Sequence, residues 1–474
     1  MARRRGVQEF QPSPDDPPLP KGIKGTLIAF EVTNFRWLFA GRATSNLARQ
    51  MRVFLRAWMV LELTDSPFLM GVVVSSLAWP MLVVPFVGGV MADRMDRKKL
   101  LQWTETLLTV LWTATALTVF LGAFEVGPTW FRVQWWHFII TSFISGVIQS
   151  IGRPGHQAMI GSIMDNRRMS SGVALDSIAD TWPRVAGPSI AALAIYFVGG
   201  DWHTWGPWLF GLTAAGQLFT AFTIFVMKWE PGMDVSKTRQ RRGGSWSDFT
   251  EGLKLIKSHP VLLSLVGMGF AFMLFAGGAA FLLPVFARDV MGLGKEGGAA
   301  AFGVLSTAQT IGSSIGALII VGLVNFSNKG RLLLVAGVIH AVSVIAFSQS
   351  TILMLSVALI VTNSMTGVFF RTTQRMLLQH IAPNEMRGRV MAMDVFQQGL
   401  SPIGVLIWGA IAEVMQGRYG LAQGTQVTWL LGGVMYAVIV VAFFTFVPAL
   451  RNFRMGGATP AKAASGSPGP GVSP

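Results

Sequence analysis

Charged side chains lie inside long apolar stretches of this chain. Asp176, Asp180 and Arg184 are spaced at i, i+4 and i+8 within residues 170–198. At ~100° per residue they share about 80° of one helix face. A desolvated carboxylate beside an arginine can be balanced between holding and releasing a proton. The spacing therefore fits proton coupling or a fixed ladder of ion pairs, and the sequence leaves both open.

A second charged face lies within residues 35–62. Arg42, Arg49, Arg52 and Arg56 again fall within about 80° of a helix face. An ionised side chain at bilayer depth costs at least ~2.5–3.5 kcal/mol unless it meets a partner or a polar cavity. The arginines therefore face the protein interior. Arg49, Arg52 and Arg56 either line a substrate cavity suited to an anion or pair with acids on neighbouring helices.

Two further acids lie in apolar stretches. Asp394 shares a helix face with Gln397 and Gln398, and it is assigned to proton coupling or ion pairing in the same way. Glu105 lies near one end of an apolar stretch, next to the basic run 97–99. We expect Glu105 to pair with that basic run.

The composition is that of a polytopic membrane protein. Of 474 residues, 51% are hydrophobic and 13% charged, with a mean hydropathy of +0.51. Charged residues make up about a quarter of an ordinary soluble domain, and apolar runs well beyond ~18 residues indicate membrane spans. Backbone polar groups in lipid must be satisfied within the segment, so the spans are helices. The sequence predicts an all-α membrane protein with twelve transmembrane helices, at 35–62, 66–91, 99–123, 134–163, 170–198, 204–228, 260–291, 298–325, 330–349, 352–382, 386–416 and 426–449.

The net charge of +15 reflects membrane topology. Of the 38 Lys and Arg residues, 26 fall in the tails, in the connections after even-numbered spans, or at the adjoining ends of the spans. By the positive-inside rule, both termini are predicted to be cytoplasmic. The protein is therefore expected in the inner or plasma membrane as a multi-pass protein, and a nucleic-acid partner is not expected.

Composition shifts divide the chain into five parts. Residues 1–34 form a cytoplasmic tail, disordered at least to about 24, and 35–228 form an N-terminal six-helix bundle. A basic cytoplasmic linker, 229–259, precedes a C-terminal six-helix bundle at 260–449. Residues 450–474 form a disordered tail.

The loop between the second and third predicted spans carries a recognisable spacing. Gly89, Asp93, Arg94, Arg97 and Lys98 form Gly-x3-Asp-Arg-x2-Arg-Lys. The pattern resembles the loop motif of the major facilitator superfamily, whose two six-helix bundles rock around a midplane site. In that superfamily the motif acts as a conformational switch.

The resemblance narrows on short stretches spread from the first to the eleventh span. The chain is similar to the enterobactin-exporter-like branch, also called transmembrane secretion effectors, in the stretches Asn34-Phe35-Arg36-x-Leu38, Leu61-Glu62-Leu63-Thr64-Asp65-Ser66-Pro67, Arg184-x2-Gly187-Pro188, Leu283-Pro284-Val285-Phe286-Ala287-Arg288-Asp289-Val290 and Pro383-x-Glu385-Met386-Arg387-Gly388-Arg389-Val390. Because the superfamily lines its cavity with helices one, four, seven and ten, the resemblance adds Arg153 and Arg371 as substrate contacts. Gly187 and Pro188 resemble part of an antiporter motif.

The resemblance implies a secondary transporter, most simply a proton-coupled exporter of a small siderophore- or drug-like compound that works as a monomer. A lysophospholipid or other lipid carrier of the same fold is an alternative, and a non-transporting membrane sensor is a remote one. The sequence has no cysteine, no His-Glu-x-x-His and no Walker-type phosphate loop. An enzyme, a metal site and a bound cofactor are therefore not expected.

Overall fold

The computed structural model describes residues 27–80, 84, 96–164, 166–199, 201–228, 246–323, 328–383, 386–451 and 453. Within these ranges the chain is helical and contains no strand. In the described part of the chain, eight helices are long and apolar enough to cross a membrane. This confirms the all-α membrane class, while twelve helices in two six-helix bundles remain a prediction.

Among the described residues of the N-terminal half are the helices α1 Thr33–Thr64, α2 Pro67–Ser76, α3 Arg97–Ala123, α4 Trp135–Ile163, α5 Asn166–Val198 and α6 Trp202–Val226. Local caps fix several of their starts. The Ser66 hydroxyl accepts the Leu69 amide ahead of Pro67, and the Asp96 carboxylate accepts the Lys98 and Lys99 amides. The predicted span 66–91 is only partly described, because 81–83 and 85–91 lie outside the described residues.

The C-terminal half begins with α7, Trp246–Ser258, which is the described part of the predicted linker. It continues with α8 from Pro260, α9 Gly294–Gly322, α10 Lys329–Ser348, α11 Leu353–Ile381, α12 Arg387–Gly399, α13 Ser401–Tyr419, α14 Leu421–Phe446 and α15 Pro448–Arg451. The span predicted at 386–416 thus consists of α12 and α13. Pro402 lies at the start of α13, where its missing N–H removes a helical hydrogen bond.

Helix α8 is irregular. It is α-helical over Pro260–Ala271, then contains π-helical turns at Phe272–Ala276 and Phe286–Val290 around a 3-10 turn at Gly278–Leu282. The Trp408 indole Nε1 on α13 donates to the Leu274 carbonyl oxygen at 2.5 Å. A neighbouring helix therefore satisfies a carbonyl within the π-helical turn.

The described helices pack mainly within their own half. Helix α1 packs on α5 and α6, α3 on α4 and α6, α11 on α9 and α10, and α14 on α10 and α13. The halves meet most extensively where α5 packs on α9 and α2 packs on α13. On α9, Gly303 faces Ala192 of α5 so closely that a methyl group there would overlap the alanine Cβ. This close approach requires glycine.

Candidate functional site

A cavity of about 620 Å³ lies between the two halves of the chain. Helices α1, α2 and α5 line it from the N-terminal half, and α8 to α11 from the C-terminal half. Phe54, Phe272 and Phe302 contribute aromatic wall, and the Phe54 and Phe302 rings stack across the halves with centroids 4.4 Å apart. We call this space the central cavity. It offers an apolar wall with a few polar groups, as small-molecule sites generally do.

Two arginines line the central cavity from different halves. Arg371 on α11 has no ion pair among the described residues, although it interacts with Asp394 at longer range. Asp394 itself pairs with Arg375 at 3.6 Å. Arg184 on α5 is half exposed and pairs with Asp180 at 2.8 Å. The cavity therefore carries positive charge on both sides.

Asp180 connects the central cavity to a second one. Its carboxylate binds Arg184 at 2.8 Å and Arg49 at 3.5 Å. Arg49 lines a separate cavity of about 150 Å³ inside the N-terminal half, which we call the small cavity. Arg42, also on the small cavity, pairs with Asp176. Both acids of α5 are thus in contact with arginines of α1, and whether they also take part in proton coupling stays a prediction.

The two remaining arginines of α1 are buried. Arg52 donates to the Thr213 carbonyl oxygen and to Gln217 Oε1, both at 3.1 Å. Arg56 donates to its own helix at the Arg52 carbonyl, 3.1 Å away, and to the Ser142 hydroxyl. Both guanidiniums lie over the Trp112 ring, at 4.4 and 5.4 Å from its centroid. Of the predicted cavity arginines, Arg371 therefore lies on the central cavity, Arg49 and Arg52 on the small one, and Arg56 in the protein core.

The structure corrects the expected partner of Glu105. This side chain is buried and does not pair with the basic run beside it. Instead, Oε1 lies 3.0 Å from His156 Nε2 on α4, and Oε2 accepts from Gln217 Nε2 on α6 at 2.6 Å. The position of Glu105 next to a basic run in the sequence predicted an ion pair at the membrane surface. The polar residues His156 on α4 and Gln217 on α6 are the sequence feature that could have indicated the buried partners instead.

Other predicted site residues have simpler placements. In the loop motif, Gly89, Asp93 and Arg94 lie outside the described residues, and so does the side chain of Arg97. The side chain of Arg153, a predicted substrate contact, also lies outside them. Lys98 Nζ donates to the Met227 carbonyl oxygen at 2.6 Å and ties α3 to the end of α6. In the partial antiporter motif, a Cβ on Gly187 would lie 2.6 Å from the Gln50 Cβ, and Pro188 lines the central cavity.

Polar contacts between the halves join the end of α1 and the start of α2 to α8 and α13. Arg288 of α8 donates to Asp65 at 2.7 Å and to the Leu61 carbonyl oxygen at 3.4 Å. Glu413 of α13 accepts the Ser66 hydroxyl at 2.9 Å and so reaches the start of α2. These contacts, together with Gln416 donating to the Asp65 carbonyl at 3.1 Å, form what we call the seam. The sequence analysis did not predict it, although Asp65 and Arg288 lie in stretches that carry the family resemblance.

No group of three or more potential metal ligands among His, Cys, Asp and Glu occurs in the part of the chain that the structure describes. The described site therefore consists of guanidinium, carboxylate, imidazole and amide groups around two cavities.

Comparisons with known proteins agree on one family. A family model described as transmembrane secretion effector matches residues 24–451. The enterobactin exporter EntS of Escherichia coli K12 is 21% identical over 421 residues, covering 89% of this chain and 93% of that protein. The staphyloferrin A transporter of Staphylococcus aureus is 20% identical over 398 residues, covering 82% and 89%. The chain spans about half the length of a third relative, an uncharacterized transporter, YfiS, of Bacillus subtilis, at 23% identity over 233 residues.

Solved structures show the same fold. A bacterial homologue of the human lysosomal transporter Spinster, in an inward-facing and occupied conformation, aligns with a TM-score of 0.68 at 13% identity and covers 90% of this chain and 97% of its own. A D-xylose-proton symporter aligns with a TM-score of 0.61 at 14% identity, covering 90% and 98%.

Proposed function

Because the chain belongs to the transmembrane secretion effectors of the major facilitator superfamily, it is a membrane transporter, and we propose that it exports a small organic anion in exchange for protons. The observation that carries this proposal is the central cavity, which lies between the halves, together with the seam, which we take to close one end of it. Alternating access needs such a cavity and a closure that can be exchanged for another.

The cavity walls favour an anionic, partly aromatic compound. Arg371 and Arg184 lie on different halves, and Arg371 has no ion pair in the described chain. A charge-assisted hydrogen bond to an anion would stabilise binding by about 1.5–3 kcal/mol. The phenylalanine walls suit an aromatic body. Two relatives carry the names of siderophores, which supports a siderophore- or drug-like substrate.

The predicted membrane topology assigns the structure to one of the two conformations of the transport cycle. With both termini cytoplasmic, α1 runs outward from Thr33 to Thr64, so the seam at Asp65 closes the outer end of the cavity. The central cavity then faces the cytoplasm, which is the state in which an exporter takes up its substrate. Twelve helices in two bundles, joined by the linker 229–259, complete this arrangement in the inner or plasma membrane, and the protein works as a monomer.

The loop motif provides the opposing closure. Gly89, Asp93, Arg94, Arg97 and Lys98 belong to the cytoplasmic side in this topology. There they would stabilise the outward-facing state, as in the superfamily they resemble. The seam and the loop motif therefore bias the same equilibrium in opposite directions.

Proteoliposomes with an acidic lumen test the function. A panel of siderophores, drugs and lysophospholipids is added outside, and luminal pH and compound uptake are recorded. We expect one anionic compound to enter while the lumen becomes alkaline. Arg371→Gln should reduce this uptake about tenfold, which corresponds to ~1.4 kcal/mol, whereas Arg375→Gln, one turn away and already paired with Asp394, should keep it.

Other outcomes reject specific parts of the proposal. Uptake without luminal alkalinisation would exclude proton exchange. Uptake of lysophospholipid alone would make the protein a lipid carrier of the same fold. Equal uptake by the Arg371→Gln variant and the unchanged protein would remove Arg371 from the substrate site.

A further inference from the structure

We propose that Glu105 of α3 and His156 of α4 form the site that carries the exchanged proton. The inference rests on the proposed function, in that transport is coupled to protons. It assigns the coupling to a buried imidazole–carboxylate pair in the N-terminal half, and it assigns the acids of α5 to ion pairing.

The hydrogen bonds around Glu105 leave one nitrogen of His156 available to accept a proton. The two carboxylate oxygens receive one partner each, His156 Nε2 at 3.0 Å and Gln217 Nε2 at 2.6 Å. The Gln217 amide oxygen is held by Arg52 at 3.1 Å, which fixes its NH₂ group toward Glu105. With Nε2–H donating to the carboxylate, His156 Nδ1 is left as a bare acceptor. This atom is buried and has no hydrogen-bond partner among the described residues.

The small cavity gives a proton access to this imidazole. Both Glu105 and His156 line it, and its volume of about 150 Å³ is enough for a few waters at ~30 Å³ each. A hydronium ion there transfers a proton to Nδ1. The N–H bond forms, the O–H bond breaks and water is released, leaving an imidazolium beside the Glu105 carboxylate. Reversal of these steps returns the proton.

The other nearby acids are less suited to this task. Asp176 is paired with Arg42, and Asp180 with both Arg49 and Arg184. Because arginine stays protonated in proteins, each of these contacts favours the ionised form of the carboxylate. Glu105, in contrast, has neither an arginine nor a lysine in ion-pair contact among the described residues; its partners are a neutral amide and a titratable ring.

The charges that face the pair come from several helices. Helix α1 contributes the guanidiniums of Arg42, Arg49 and Arg52 on the small cavity, with Arg56 behind them over Trp112. Helix α5 contributes Asp180 on the cavity and Asp176, which interacts electrostatically with His156. Helix α6 contributes the neutral Gln217.

A proton on His156 therefore changes the electrostatic interactions of α5. The added positive charge acts on Asp176 and on the ion pairs of that helix with α1. Asp180 extends this network to Arg184 on the central cavity, and α5 is also the helix that packs against α9 of the other half. Proton occupancy can thus change both the substrate wall and the contact between the halves.

The test separates substrate movement from proton movement. Glu105→Gln and His156→Gln keep a hydrogen bond between the two positions but remove one titratable group each. His203→Gln is the matched control, because His203 forms an exposed pair with Asp201 at 3.1 Å away from both cavities. Each variant is reconstituted, and enterobactin, or the panel member that moves protons in the unchanged protein, is used as the probe.

We expect both variants to exchange probe for probe without a pH gradient within about twofold of the unchanged protein, while probe-dependent luminal alkalinisation falls at least tenfold. The His203→Gln control should keep both. Normal alkalinisation in either variant would overturn the inference, and so would loss of probe exchange together with alkalinisation in folded, monodisperse protein. Proton-free transport by the unchanged protein would instead refute the proposed coupling and the inference with it.

Discussion

The contribution of the seam can be measured with Asp65→Asn. Asp65 ends α1 with φ 47°, a left-handed conformation that asparagine also tolerates, so the substitution changes charge with little backbone strain. It removes the ionic contact at 2.7 Å that crosses from Arg288 to the N-terminal half. The Arg288 side chain is 7% exposed but that of Asp65 is 69% exposed.

The two exposures set the expected magnitude. Breaking a fully buried ion pair costs about 3–5 kcal/mol, whereas exposed pairs contribute about 0.2–1 kcal/mol. Because Arg288 is buried and Asp65 is in solvent, we expect Asp65→Asn to destabilise the sealed state by an intermediate amount, about 1–2 kcal/mol. The sealed state should therefore lose population relative to the opposite state by roughly 5- to 30-fold. The Glu413 and Gln416 contacts remain and keep the seam from opening entirely.

Because the chain has no cysteine, spin labels can be placed without background. Cysteines at His203 and Leu293, both exposed, are close in sequence to Gly199 and Glu296, which approach each other from different halves: a Cβ on Gly199 would lie 3.3 Å from Glu296 Oε1. We expect the distance distribution to gain a longer component in Asp65→Asn. Asp289→Asn is the matched control, since Asp289 binds the same arginine at 2.8 Å but lies in the same half. An unchanged distribution in Asp65→Asn, or an equal change in both variants, would refute the reasoning.

Further substitutions test the loop motif and the contact between α5 and α9. Asp93→Asn or Arg97→Ala should abolish transport without affecting membrane insertion, since each removes a charge of the loop motif; normal transport by both variants would contradict a switch role. Gly303→Ala should destabilise the sealed state by about 1–3 kcal/mol, because its methyl group overlaps the Ala192 Cβ between α5 and α9. Gly211→Ala is the control, because a methyl group at that position meets open space. We expect the spin-label distances across the seam to lengthen in Gly303→Ala and to stay unchanged in Gly211→Ala.

Much of the site could be predicted from helical spacing. The inward direction of the α1 arginines and the ladder of Asp176, Asp180 and Arg184 follow from the cost of exposing charge to lipid. Spacing along one helix does not specify the facing helix, however. The division of the arginines between two cavities and the core therefore depends on packing, as does the pairing of Glu105 with His156.

The seam and the irregular α8 show a different limit of sequence reasoning. Asp65 and Glu413 are 348 residues apart, so only the packed halves bring their neighbourhoods together. In α8 the π-helical and 3-10 turns need partners such as Trp408 on another helix. Tertiary contacts override the local preference for a regular helix there.

The guanidinium of Arg371 gives membrane voltage an expected role in the transport cycle. Arg371 lines the central cavity without an ion pair among the described residues, so its positive charge stays on the cavity wall until an anion binds. An elementary charge that crosses 100 mV changes its energy by about 2.3 kcal/mol. The protein without its anion is therefore expected to carry more positive charge through its conformational change than the protein that holds one. In the proposed exchange, the electric field then acts mainly on the return of the proton-loaded transporter, rather than on export itself.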